Sequence, residues 1–134
     1  HILREHGATA CTDVTGFGLL GHLMEMCKGS QLRAHVDFSA IPLMPRALEF
    51  VESGYMTGAS TRNWESYGDG IQLASGLDHA AKILLTDPQT SGGLLVSCSP
   101  DTVTEVLSIF LQQGFSHVSV IGEMLEGDTG VEVN

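Results

Sequence analysis

Two glycine-rich segments hold most of the chemistry this sequence offers. Asp13-Val14-Thr15-Gly16-Phe17-Gly18 stands just ahead of an apolar pattern with helical spacing, and Asp87-Pro88-Gln89-Thr90-Ser91-Gly92-Gly93 just ahead of a short apolar run. In the first, Gly16 and Gly18 let the backbone approach a ligand closely, and the free N–H groups that open the following helix attract an anion by about 0.3–1 kcal/mol. A phosphate can sit there without a lysine. Asp13 adds a carboxylate of the kind magnesium uses, one or two at a time, before completing its shell with phosphate oxygens and water. In the second, the hydroxyls of Thr90 and Ser91 and the paired glycines can line a ligand pocket at the mouth of a strand. A plainer reading has Asp13 capping the helix, the glycines serving turns, and Asp87 and Thr90 satisfying local backbone groups. Spacing alone leaves both readings open, because a short glycine motif is weakly specific.

Other reactive side chains form no second site. His22 follows the first glycine segment, yet no second His or Cys lies at ligand spacing, so a packed or capping histidine is the expectation. His6, His35, His79 and His117 are scattered, and Arg62 and Asn63 fall in a polar stretch from which they could reach a ligand. Cys11, Cys27 and Cys98 are odd in number and lack any C-x-x-C spacing, which predicts packed, reduced thiols rather than a disulfide framework or a zinc site. No Ser/His/Asp or Cys/His grouping can be nominated.

The elements that must position these residues can be read from periodicity. Residues 1–6 look like the last turns of a helix stopped by Gly7, and Ala8 to Thr12 suits a strand ending at Asp13. A helix follows through Leu19, Leu20, Leu23, Met24 and Cys27, with Gly29 as its left-handed cap. Leu32 to Phe38 alternates like a half-buried strand, and Pro45 suits the first turn of a helix stopped by Gly54. From Tyr55 to Gly76 periodicity is lost, which reads as a long, mobile connection. Leu77 to Leu85 is helical again, and Leu94 to Cys98 is a buried strand. Ser99 and Pro100 open a helix through Leu111 closed by Gly114, and Val118, Val120, Val131 and Val133 mark late strands. The alternation predicts a sheet covered by helices.

At 134 residues the chain can bury roughly two thirds of its unfolded surface around one core. With 43% hydrophobic and 16% charged residues it has globular composition, and it has no apolar run of membrane-spanning length. A formal charge of -10 repels nucleic acid and anionic membranes, so an anionic ligand should arrive with a cation or meet backbone N–H groups. A soluble, cytoplasmic protein is the expectation. The opening in mid-helix pattern, without Met, suggests a piece of something longer.

Taken whole, ACTDVTGFGLLGHL and LLTDPQTSGGLLVSC, in this order and separation, resemble the C-terminal domain of the selenophosphate synthetase family, bacterial type. VDFSAIPLMPRALEFVESG and GASTRNWESYGDG also look like that family, so the likeness runs from about Ala8 to the end. It implies an α+β fold, a layered mixed β-sheet with flanking helices like the C-terminal domain of the aminoimidazole ribonucleotide synthetase superfamily, with residues 1–134 as that single domain. It implies an intact enzyme, a homodimer, that turns ATP, selenide and water into selenophosphate, AMP and phosphate with Mg2+. By this likeness Asp13 is a magnesium ligand, and Thr15, Gly16, Gly18, Thr90, Ser91 and Gly92 face the nucleotide. No catalytic residue is expected here, since the nucleophile, its lysine and the remaining metal carboxylates belong to an N-terminal domain that this sequence lacks. Another ATP-dependent synthetase or kinase of the superfamily, or a non-catalytic binding domain, remains the alternative.

Overall fold

The structure, a computed structural model, describes residues 2–77 and 79–134. Its helices are α1 (Ile2–Glu5), α2 (Gly18–Ser30), α3 (Ala47–Glu52), α4 (Gly58–Tyr67), α5 (His79–Thr86) and α6 (Val103–Gln112). Its strands are β1 (Ala8–Asp13), β2 (Arg33–Val36), β3 (Ile71–Leu73), β4 (Leu94–Cys98), β5 (Gly122–Leu125) and β6 (Gly130–Val133).

The strands form two sheets. Four make a mixed sheet in the order β3-β6-β2-β5, with β6 parallel to both β2 and β3 and β5 antiparallel to β2. The other two, β1 and β4, pair antiparallel across more than eighty residues of sequence, with Asp13 opposite Leu94 and a register shift between Ala8 and Ala10. The short apolar strands of the larger sheet must cover one face, and α2 does so. Leu20, Leu23, Met24 and Cys27 from α2 pack on Ala34 and Val36 of β2, Val131 and Val133 of β6 and Ile71 of β3. Leu85 from α5, with Val14 and Leu95 where the two-stranded sheet ends, completes the same core.

Several boundaries differ from the sequence reading, each for a local reason. Gly29 lies inside α2; the left-handed residue is Gln31, at φ 58, whose N–H bonds the Cys27 carbonyl. Strand β2 stops at Val36 because Asp37 accepts from the Ser39 N–H and starts a 3-10 turn over Phe38–Ala40. Leu94–Cys98 has the expected bounds, yet only Leu95 is buried, in a strand with a single neighbour in a two-stranded sheet. Val118 and Val120 lie outside any strand, whereas Val131 and Val133 form β6 as read. Pro100 starts a 3-10 turn that leads into α6, and Ser99 supplies no side-chain cap. The helix tail read at residues 1–6 survives as α1, apart from His1, which lies outside the described residues.

The largest correction falls on Tyr55 to Gly76. That stretch is not an irregular connection: it contains α4, a 3-10 turn over Gly68–Gly70 and β3. Helix α4 buries polar residues, Ser60 and Asn63, rather than an apolar stripe, so apolar periodicity does not mark it. Thr57 caps it by accepting from the Ser60 N–H, and Trp64 packs under Lys82 of α5 with Nζ 4.9 Å from the ring centroid.

Candidate functional site

The antiparallel register of β1 and β4 decides where the two glycine segments go. Because Asp13 ends β1 opposite Leu94, which begins β4, the chain leaving one strand and the chain entering the other emerge side by side. Backbone bonds then join them: the Val14 N–H donates to the Gly93 carbonyl at 2.9 Å, and the Gln89 N–H to the Thr15 carbonyl at 3.0 Å. Two segments more than seventy residues apart in sequence therefore make one surface.

The contact is close because it is made of glycine. A Cβ on Gly92 would lie 1.9 Å from the Val14 carbonyl oxygen, and one on Gly18, at φ +68, would lie 2.7 Å from the Thr86 carbonyl carbon. Gly16 is different. Nothing lies within 4 Å of its Cβ direction, so no neighbour in this chain requires glycine there. Thr15, Gly16, Thr90 and Ser91 are exposed, Gly92 is half-buried and Gly18 is buried. Phe17 beside them is 50% exposed.

Asp13 is exposed at the strand end and makes no ion pair among the described residues. It does not cap the helix: α2 begins five residues later, with Phe17 at the N-cap and no side-chain cap bond. Asp87 does not serve local backbone groups either. Its Oδ1 accepts from the Thr57 hydroxyl at 3.0 Å and the Ser60 hydroxyl at 2.8 Å, both at the start of α4.

Helix α4 is the brace that sequence reasoning missed. The buried Asn63 amide donates to the Gly16 carbonyl and to the Thr86 carbonyl, each at 2.9 Å, so one side chain ties the first segment to the chain leading into the second. The Tyr67 hydroxyl donates to the Phe17 carbonyl. Asn63, placed by the sequence in a polar stretch from which it could reach a ligand, has its side chain turned to these two carbonyls, while Arg62 on the same helix is exposed. The signal was the polar residues at helical spacing, Ser60, Asn63 and Tyr67, which an apolar template overlooks.

Burial pushes the Tyr67 phenol from 10.0 up to about 12, against a smaller opposing pull from the Gly21 backbone. A folded-state value raised above the unfolded one stabilises fully below the unfolded value and is lost as pH rises through the folded one, so Tyr67 weakens the fold between pH 10 and about 12. Tyr67→Phe is expected to cost about 1 kcal/mol at neutral pH, where the Phe17 carbonyl loses the hydroxyl donor. The same change should flatten that alkaline decline. Urea midpoints measured across pH check both, and an unchanged alkaline slope would exclude this origin.

The remaining reactive groups stand apart. Of the thiols, only Cys27 is packed as expected, with burial raising its pKa, while Cys98 is half-buried and Cys11 is exposed on β1. Among the described residues no three His, Cys, Asp or Glu side chains cluster to hold a metal, so Asp13 belongs to no such group. No helix among them is long and apolar enough to cross a membrane. A groove of about 440 Å³ beside Met24, Lys28, Tyr67 and Asp69 shares no residue with the two glycine segments.

A mixed sheet under α2, with paired glycine turns at the end of a second small sheet, defines a class, and the chain belongs to it: the AIR synthase related protein, C-terminal domain family matches residues 1–134. Within that class the sequence is similar to proteins named selenide, water dikinase. It is 67% identical over 127 residues to that of Dechloromonas aromatica (strain RCB), covering 95% of this chain and 36% of the relative. It is 52% identical over 130 residues to that of Paraburkholderia xenovorans (strain LB400), covering 97% and 37%. The chain thus spans about a third of the length of these relatives. The crystal structure of a thiamine-monophosphate kinase from Stenotrophomonas maltophilia K279a matches with a TM-score of 0.58 at 19% identity, over 96% of this chain and 32% of that one, which speaks to the fold alone.

Proposed function

We propose that this chain is the C-terminal domain of a selenide, water dikinase and forms one wall of its ATP site. The observation that carries the reading is the joining of the two glycine segments by backbone bonds, in a chain 67% identical over 127 residues to a protein of that name. In the intact enzyme ATP, selenide and water would give selenophosphate, AMP and orthophosphate. This chain's share is to bind and orient: the N–H groups of the first turn of α2 receive phosphate oxygens, Gly16 leaves room for them, and the exposed Thr90 and Ser91 close the rim.

Asp13 fits magnesium as one ligand, an exposed carboxylate without an ion-pair partner among the described residues, five residues ahead of an anion-attracting helix start. The bound metal would neutralise phosphate charge. The other metal carboxylates, the nucleophile and its lysine would come from an N-terminal domain in the same polypeptide, and the intact enzyme would be a cytoplasmic homodimer. The formal charge of -10 argues against nucleic acid as a partner.

Phosphorus NMR of the intact protein with ATP, selenide and magnesium tests the reading. Selenophosphate, AMP and orthophosphate should form in equal amounts, and the 134-residue chain alone should form none. ADP formation, or turnover indifferent to selenide, would instead assign a different kinase or synthetase of the same family.

A further inference from the structure

His22 is polar yet only 7% exposed, and both of its ring nitrogens are engaged. Nδ1 lies 3.0 Å from the Glu25 carboxylate, and Nε2 lies 3.1 Å from the Thr15 hydroxyl in the first glycine segment. The Phe17 ring closes one side, its centroid 5.7 Å away. The helix thus supplies Glu25, the loop supplies Thr15 and Phe17, and no other charged group pairs with the ring among the described residues.

This chain of bonds has a direction. An ionised carboxylate only accepts, so the proton between Glu25 and His22 sits on Nδ1. A neutral imidazole protonated there offers a lone pair at Nε2, which the Thr15 hydroxyl must meet by donating. Thr15 has one hydroxyl hydrogen, and with the imidazole neutral it is directed inward. The exposed side of its oxygen can then only accept.

We propose that His22, backed by Glu25, is a positioning residue that fixes the Thr15 hydroxyl as an acceptor, so that the loop divides its ligand by polarity. Phosphate oxygens go to backbone N–H groups, and Thr15 Oγ1 takes a hydrogen-bond donor, either a metal-bound water or a nucleotide hydroxyl or amino group. A phosphate oxygen at Thr15 would meet lone pair with lone pair. The assignment of the ligand rests on the function proposed above; the direction of the hydrogen-bond chain does not.

Histidine-selective 15N labelling of the intact protein, with His22→Gln identifying the signal, reads the tautomer. A proton on Nδ1 with bare Nε2 is expected; a proton on Nε2, or on both nitrogens, overturns the proposal. Thr15→Val, which keeps the shape and removes the hydroxyl, should weaken binding by about tenfold, and Thr15→Ser should restore it. Binding is read as the half-saturating magnesium concentration and as the Kd for ATP without metal. A rise in the first alone identifies metal-bound water, and a rise in the second identifies a donor on the nucleotide. Wild-type values for both overturn the proposal. Should the intact protein make no selenophosphate, the proposed function falls, while the tautomer and the ATP affinity still decide the role of His22.

Discussion

Gly92→Ala is expected to lower stability by about 2–3 kcal/mol, far more than any other single methyl added to the two glycine segments away from Gly18. The new Cβ would lie 1.9 Å from the Val14 carbonyl oxygen and 2.9 Å from Gln89 Cβ, and the first of these is backbone that cannot rotate away. Relief requires moving residue 14, whose N–H bonds the Gly93 carbonyl, so the clash falls on the strap that joins the two segments. Gly93→Ala and Gly16→Ala serve as internal controls, because nothing lies within 4 Å of either Cβ direction. Both should stay within about 0.5 kcal/mol of the parent. Denaturant unfolding of the three variants compares them directly. Equal midpoints for Gly92→Ala and Gly93→Ala would mean that the segments are not held together as described.

That contrast also separates the glycines the fold needs from the one it does not. Gly92 and Gly18 are explained by packing inside this chain, the first by a carbonyl at its back and the second by a left-handed backbone against Thr86. Gly16 is explained by neither. Its carbonyl is held by Asn63 while its Cβ direction is open, the arrangement expected where something outside the chain must come close. The sequence marks all three in the same way, as glycines in a loop, and only the second segment's position separates them.

What could be read beforehand follows from the same distinction between local and long-range causes. Helix α2 was legible because its apolar residues must face one sheet, and Leu94–Cys98 because a run of apolar residues bounded by Gly93 and Ser99 has few alternatives. The pairing of β1 with β4 was not, since nothing local in Ala8–Asp13 specifies a partner more than eighty residues away. Helix α4 was missed for a different reason. It is held by side-chain hydrogen bonds from Ser60, Asn63 and Tyr67 to Asp87, Gly16, Thr86 and Phe17, so the residues that fix it are polar ones that a search for an apolar face discards. The glycine segments were singled out as separate candidates; the brace between them, which makes them one surface, becomes visible only in three dimensions.

Asp13→Asn in the intact protein should reduce turnover at limiting magnesium by about a hundredfold or more while leaving the melting temperature nearly unchanged. The substitution keeps size and hydrogen-bonding capacity and removes the charge that a hard cation requires. Had Asp13 capped the helix, asparagine would cap it about as well, so that role predicts little change in stability and intact turnover. The geometry rules out that role, because β1 ends at Asp13 and α2 starts at Gly18 behind Phe17. An exposed carboxylate without an ion pair among the described residues has little folding energy to lose, and surface substitutions of that kind stay within about 0.5 kcal/mol. Raising magnesium should recover part of the lost turnover, since the remaining ligands would still hold the metal weakly. Melting curves and selenide-dependent AMP formation across a magnesium titration measure both quantities on one sample. Wild-type turnover at limiting magnesium would remove Asp13 from the metal site, whereas lost turnover accompanied by a large fall in melting temperature would assign it to the fold instead.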